Sequence, residues 1–305
     1  MVYSHVHHTV RRGLTMSALF ALATSVLLGL ADFGGGLLTR RTPALTVVVV
    51  SQGIAVVVLG AIVTAGGGWT EVGPQLWYAV AAGVVGPVGM LCFYRALALG
   101  PMGVVSPIGA LGSVAVPLGV GLALGERPGL LQFAGIAVAV AGVVLASGPQ
   151  TDGTSVPRRT LVLTLVAAVG FGSVMTLIAA ASTTLTGLFL ALFVQRVCNV
   201  VVGGGALYVS VRRGSPALDP AAGGVRALWA ALPTLAFVGL ADVAGNGTYS
   251  VAAQTGPVTV AAVLAALYPV VTAFAARAVL SERLRAVQAT GAGLALAGSL
   301  LLATG

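Results

Sequence analysis

Ten apolar runs, each close to the length that crosses a bilayer, follow one another along the 305 residues. A helix needs about 20 predominantly apolar residues to span the hydrocarbon core. Here the runs lie near 15–38, 44–65, 75–98, 102–124, 129–148, 160–181, 186–209, 227–253, 257–280 and 285–304. Most joints between them are very short. Only 149–159 and 210–226 gather enough Pro, Asp, Ser and Arg to read as loops in their own right. Inside hydrocarbon the backbone must satisfy its own N–H and C=O groups, so runs of this length fold as helices. The pattern therefore predicts an all-α polytopic membrane protein with ten transmembrane helices. Composition excludes the soluble alternative, because charged residues make up 7% of the chain and mean hydropathy is +1.05, whereas soluble domains carry about 25% charge.

The formal charge of +8 invites a nucleic-acid reading, which the distribution of the charge rejects. All fifteen basic residues are Arg, and they pair at the ends of apolar runs: Arg11-Arg12, Arg40-Arg41, Arg158-Arg159 and Arg212-Arg213. Arginines so placed meet phospholipid headgroups, and no basic stripe with interleaved aromatics accompanies them. The polar start, Met1 to Arg12 with its three His, reads as a disordered tail. The run behind it lacks a small-x-small cleavage site and reads as a retained helix. Cys92 and Cys198 both lie inside apolar runs, as small core residues and not as a disulfide or metal pair. No nucleotide-binding loop, metal-ligand spacing or nucleophile–base cluster occurs within the runs, so the sequence predicts no enzyme, no metal and no cofactor.

The chain also repeats itself. Gly100-Pro101, Glu126-Arg127, Gln132, Gly135 and Gly142 recur 156 residues later as Gly256-Pro257, Glu282-Arg283, Gln288, Gly291 and Gly298. Glu, Arg and Gln are rare in this composition, so their match at one offset marks an internal duplication. Two copies of five runs, 15–148 and 160–304, account for all ten. An odd number of spans per copy sends the copies into the membrane in opposite directions, giving two inverted-topology five-helix repeats. That architecture recurs in secondary transporters, whose substrate site lies at the repeat interface near mid-membrane.

Particular motifs now carry a resemblance. The second copy reads Gly256-Pro257, Tyr268-Pro269-Val270-Val271-Thr272, Leu280-Ser281-Glu282-Arg283-Leu284 and Gln288-Ala289-Thr290-Gly291; the first has Leu124-Gly125-Glu126-Arg127 and Gln132-Phe133-Ala134-Gly135. This order resembles the EamA repeat of the drug/metabolite transporter superfamily. Gly29-Leu30-Ala31-Asp32-Phe33-Gly34-Gly35 is similar to that family's first-helix region, but lacks its Trp and carries an Asp. The resemblance implies a multi-pass transporter of the plasma membrane, exporting amino acids, other metabolites or drugs, with both termini inside. The positive-inside rule implies the reverse. The Arg pairs after runs one, five and seven, with Arg226, Arg283 and Arg285, fall on the side opposite the termini.

Ionisable groups within lipid are costly and mark function by default. Asp32 lies in run one, Asp242 in run eight, and Arg196 in run seven beside Gln195, with Asn199 a turn further on. Gly239-Leu240-Ala241-Asp242 repeats Gly29 to Asp32 residue for residue, although the two are not counterparts at the 156 offset. Ser51-Gln52 and Gln195-Arg196 occupy similar depths in equivalent runs, and Asn246 and Tyr249 share a helical face with Asp242. The expected site is thus Asp32, Gln52, Arg196, Asn199, Asp242, Asn246 and Tyr249. In it Arg196 holds a substrate carboxylate or phosphate and a buried Asp carries a proton. The competing reading is a permanent Arg–Asp pair that only locks helices together. Glu126 and Glu282 stand at short turns, where helix capping or headgroup contact accounts for them. The Gly135/Gly142 and Gly291/Gly298 pairs read as packing faces. The predicted partners are the lipid bilayer, a small-molecule substrate and protons, in a monomer or homodimer. Efflux of lipophilic cations is the alternative within transport, and only 6% aromatic residues argues against a cation cage.

Overall fold

In a computed structural model the backbone is described for residues 2–39, 42–99, 102–146, 157–218, 224–280 and 286–304. Eleven helices follow in order: α1 (Val2–Thr39), α2 (Ala44–Ala65), α3 (Leu76–Leu99), α4 (Met102–Ala123), α5 (Leu130–Ala146), α6 (Arg158–Ala180), α7 (Leu185–Arg212), α8 (Gly224–Thr255), α9 (Val258–Ala265), α10 (Tyr268–Leu280) and α11 (Ala286–Thr304). A 3₁₀ turn, Gly68–Glu71, joins α2 to α3. Among the described residues, Thr15–Thr39, Ala44–Ala65, Leu76–Phe93, Arg158–Ala180, Leu185–Arg212 and Gly224–Thr255 are each long and apolar enough to cross a bilayer. The chain is an all-α polytopic membrane protein of about ten long apolar helices.

Two departures from the sequence pattern have local causes. The polar start is helical from Val2, since only an isolated glycine, Gly13, stands between the histidines and the first apolar run. The ninth run is broken into α9 and α10 at Ala266-Leu267. Pro269 has no N–H to return to the Ala265 carbonyl, and Val270 and Val271 both donate to Leu267 O instead. Proline alone does not force such a break: α4, with Ser113 at the matching position, runs unbroken through Pro107 and Pro117.

Helices meet where side chains are smallest. A methyl group on Gly142 of α5 would overlap the backbone nitrogen of Ala295 in α11, and one on Gly298 would overlap the backbone nitrogen of Ala139. Each contact is the other's image at the 156 offset, so α5 and α11 run antiparallel with their backbones in touch. α2 and α7 are antiparallel too: Gly60 lies against Phe193, and Gly203 against Val49. α1 and α8 pair in the same sense, through Ser17 with Ala252, Thr24 with Thr248 and Leu28 with Gly245. Such close approach, without large interposed side chains, is how helices gain van der Waals contact in lipid.

These pairings sort the connections onto two faces. One holds the Gly68–Glu71 turn, where Thr186 at the start of α7 donates to Glu71 Oε1 at 3.0 Å, together with Glu126 and the start of α9. The other holds the start of α2, where Thr46 donates to Ala217 O across the α7–α8 connection. The repeated spacing of Gln132 within its turn also gains a cause: its Oε1 accepts from Gly129 N at 3.1 Å and caps α5.

Candidate functional site

The antiparallel pairing of α1 with α8 brings the two Asp residues that end the same tetrapeptide to one depth. Residues 28 and 245 are level, and so are 34 and 238; Asp32 and Asp242 therefore face one another at one depth. Asp32 is exposed and Asp242 partly so.

α2 and α7 bring the other members. Gly239 has no side chain because the carbonyl of Ser51 occupies that place, and Gly83 of α3 stands in the same relation to Gln195, with a methyl there falling 2.6 Å from Gln195 O. These matched approaches draw α8 onto α2 and α3 onto α7, and so set Gln52, Arg196 and Asp242 side by side. Arg196 Nη1 donates to Asp242 Oδ2 at 2.7 Å and to Gln52 Oε1 at 2.8 Å. Gln52 Nε2 donates to the same Asp242 oxygen at 3.0 Å. Asn246 Nδ2 donates to Asp242 Oδ1 at 3.1 Å and to its backbone carbonyl at 2.8 Å. The side chain of Arg196 is 3% exposed and that of Asp242 27%, so the cation is the deeper partner.

One edge of this guanidinium is used and the other is not. Nε and Nη2 are buried and have no hydrogen-bonding partner among the described residues. Those two nitrogens form the fork that accepts a carboxylate or phosphate bidentately. Leaving such donors unmet costs about 1–3 kcal/mol apiece, which favours a ligand oxyanion over an empty fork. Gln195 Oε1 and Asn199 Oδ1, on the α7 face toward α3, are likewise buried and unpartnered.

Of the seven expected residues, Gln52, Arg196, Asp242 and Asn246 form one hydrogen-bonded unit, and Asp32 faces it. Asn199 lies beside Gly86 of α3, outside that unit. Tyr249 is fully buried within an apolar cluster of α1, α8 and α9, among Ala21, Ala252 and Val260, and its nearest charged influence is Glu126. Sharing a helical face with Asp242 does not bring it to the site, because seven residues carry it about 10 Å along the axis. Of capping and headgroup contact, the two accounts the sequence offers for Glu126, the structure shows capping: Val258 N donates to Oε1 at 2.6 Å and Thr259 N to Oε2 at 3.1 Å. That the capped helix belongs to the other half of the chain was not readable from the motif. Glu282 lies outside the described residues. Among the described residues no group of three His, Cys, Asp or Glu could hold a metal.

Apolar helices converging on a buried ion pair make a polytopic membrane protein with a polar site inside it. Residues 15–148 and 158–304 both match the EamA-like transporter family, and the chain belongs to that family, within the drug/metabolite transporter superfamily. A solved structure described only as "Crystal structure of protein" is similar over 94% of this chain and 95% of its own, with a TM-score of 0.70 and 18% identity. Likeness at that identity shows the fold alone. No curated protein matches the sequence.

Proposed function

We propose that this chain is a secondary-active transporter of the plasma membrane that exports a small polar metabolite, such as an amino acid, by alternating access. The unmet Nε/Nη2 edge of Arg196 carries this reading, because it is a buried, oriented fork for a carboxylate at the centre of the bundle. Two inverted five-helix repeats, 15–148 and 160–304, supply the moving parts. The antiparallel running of α2 with α7 and of α5 with α11, which are equivalent helices in the two copies, supports that assignment. Rocking one repeat against the other around the Arg196 unit would open each face in turn.

The experiment is counterflow in proteoliposomes with an amino-acid pool and a lipophilic-cation pool, comparing wild type with Arg196→Ala. Wild type moves the amino-acid pool and Arg196→Ala does not, while eluting as a folded protein. Movement of the cations alone, surviving Arg196→Ala, would transfer the reading to drug efflux and leave Arg196 a structural role.

Asp32 is the proton carrier in this scheme. Among the described residues it makes no ion pair with Arg196, whereas Asp242 is held by three side chains. Asp32→Asn is expected to keep substrate counterflow, which needs no pH gradient, and to lose uptake driven by an imposed pH gradient by about 100-fold or more, the range of a single positioned proton-transfer group. Gradient-driven transport at wild-type rates in Asp32→Asn would remove the proton from this residue.

A further inference from the structure

The Glu126 carboxylate sits on an assembled seat. α4 ends in a tight reversal in which Gly125 adopts φ +94°, a left-handed conformation that suits glycine. Gly125 N donates to Leu122 O at 3.1 Å and Glu126 N to Gly121 O at 3.0 Å, the paired bonds of a Schellman ending. That reversal turns Glu126 back across the end of its own helix. Gly121 makes the room: a methyl there would stand 2.6 Å from Glu126 Oε2. The carboxylate then takes the first two free N–H groups of α9, where the helix dipole adds to the attraction. Behind this contact the packing is dense. Ser17 of α1 is fully buried and donates to Ala252 O at 2.8 Å, and Val260 through Leu267 are all buried.

The second copy does not repeat the two glycines that form the seat. At the 156 offset Gly121 corresponds to Arg277 and Gly125 to Ser281, although Glu126 corresponds to Glu282. A side chain in place of Gly121 would occupy the space the carboxylate needs, and Ser in place of Gly125 would be strained at positive φ.

We infer that Glu126 is a one-sided latch, which holds the face bearing the α9 N-terminus shut and so biases the resting transporter towards opening at the opposite face. This rests on the alternating-access reading and assigns it a gate. Substrate never touches the latch. It acts by tying the α4–α5 turn of one half to a helix of the other, and opening that face requires the carboxylate to release two backbone N–H groups.

The test is thiol accessibility in detergent-solubilised full-length protein, with Cys92 and Cys198 replaced by Ala and a water-soluble charged thiol reagent as probe. Ser17→Cys reports the latched face. Gly36→Cys, whose surroundings are open, reports the other. Glu126→Gln keeps the side-chain shape but loses the charge and one acceptor; it is expected to speed labelling at Ser17→Cys by about tenfold or more, the effect of one charge-assisted hydrogen bond on a two-state balance. Gly36→Cys labelling slows or holds. Gly125→Ala, which keeps the carboxylate and spoils its aim, gives the same rise and carries the test should Glu126→Gln not fold. Unchanged Ser17→Cys labelling in folded Glu126→Gln overturns the latch, as does an equal rise in Glu282→Gln. Labelling is read without substrate, so failure of the latch is separate from failure of the counterflow experiment.

Discussion

Asp242→Ala is expected to lower the stability of the solubilised protein by about 3 kcal/mol, near the low end for breaking a buried ion pair because its carboxylate is 27% exposed. The loss leaves the Arg196 guanidinium with Gln52 as its only hydrogen-bonding partner among the described residues, and an uncompensated buried cation is the costly species. Adding Arg196→Met removes that cation while keeping an unbranched apolar chain, so the double variant should regain most of the lost stability. It should not regain transport. Thermal unfolding in detergent beside counterflow decides the outcome. A double variant as unstable as Asp242→Ala would show that packing, not charge, sets the cost. A stable double variant that still transports would reduce the pair to a helix lock.

The second large effect falls on the α5–α11 contact. Gly298→Ala drives a methyl into the backbone of Ala139, and Gly142→Ala does the same at Ala295. Neither obstacle is a side chain that can turn aside, so the helices must part, and each change should cost about 3 kcal/mol, at the upper end for overpacking. Gly293, five residues away on α11, has open space around its missing Cβ; Gly293→Ala should be neutral or stabilising by up to about 1 kcal/mol through helix propensity. Equal losses at Gly293 and Gly298 would mean that helix propensity or bilayer contact, not this backbone approach, controls stability.

The helices were legible because hydrocarbon imposes a length, and run after run of about 20 apolar residues has few other ways to fold. The glycine contacts were legible as well, through the 156 offset that maps Gly142 on to Gly298. Partner choice was not. In lipid every apolar face resembles every other, so nothing in the runs says that α1 lies against α8. Without that, the echo between Gly29–Asp32 and Gly239–Asp242 reads as chance, whereas it places two carboxylates opposite each other. The joining of Arg196 to Gln52 follows from equal depth in equivalent runs, and that much could be read. Its attachment to Asp242 depends on Gly239 lying on Ser51, a contact between segments 188 residues apart. Tyr249 was placed at the site by periodicity alone; rise along the helix separates it. The break in run nine, read as one span over 257–280, was not legible either, since Pro87 and Pro233 stand inside helices that continue through them.

That break sets the scale of the moving part. α9 is an eight-residue helix joined to α10 through a joint that has lost its continuous ladder of hydrogen bonds, and the carboxylate of Glu126 grips its far end. Under the latch reading, freeing that face means loosening a two-turn element from its packing, while the α5–α11 seam, held by backbone contact, stays closed.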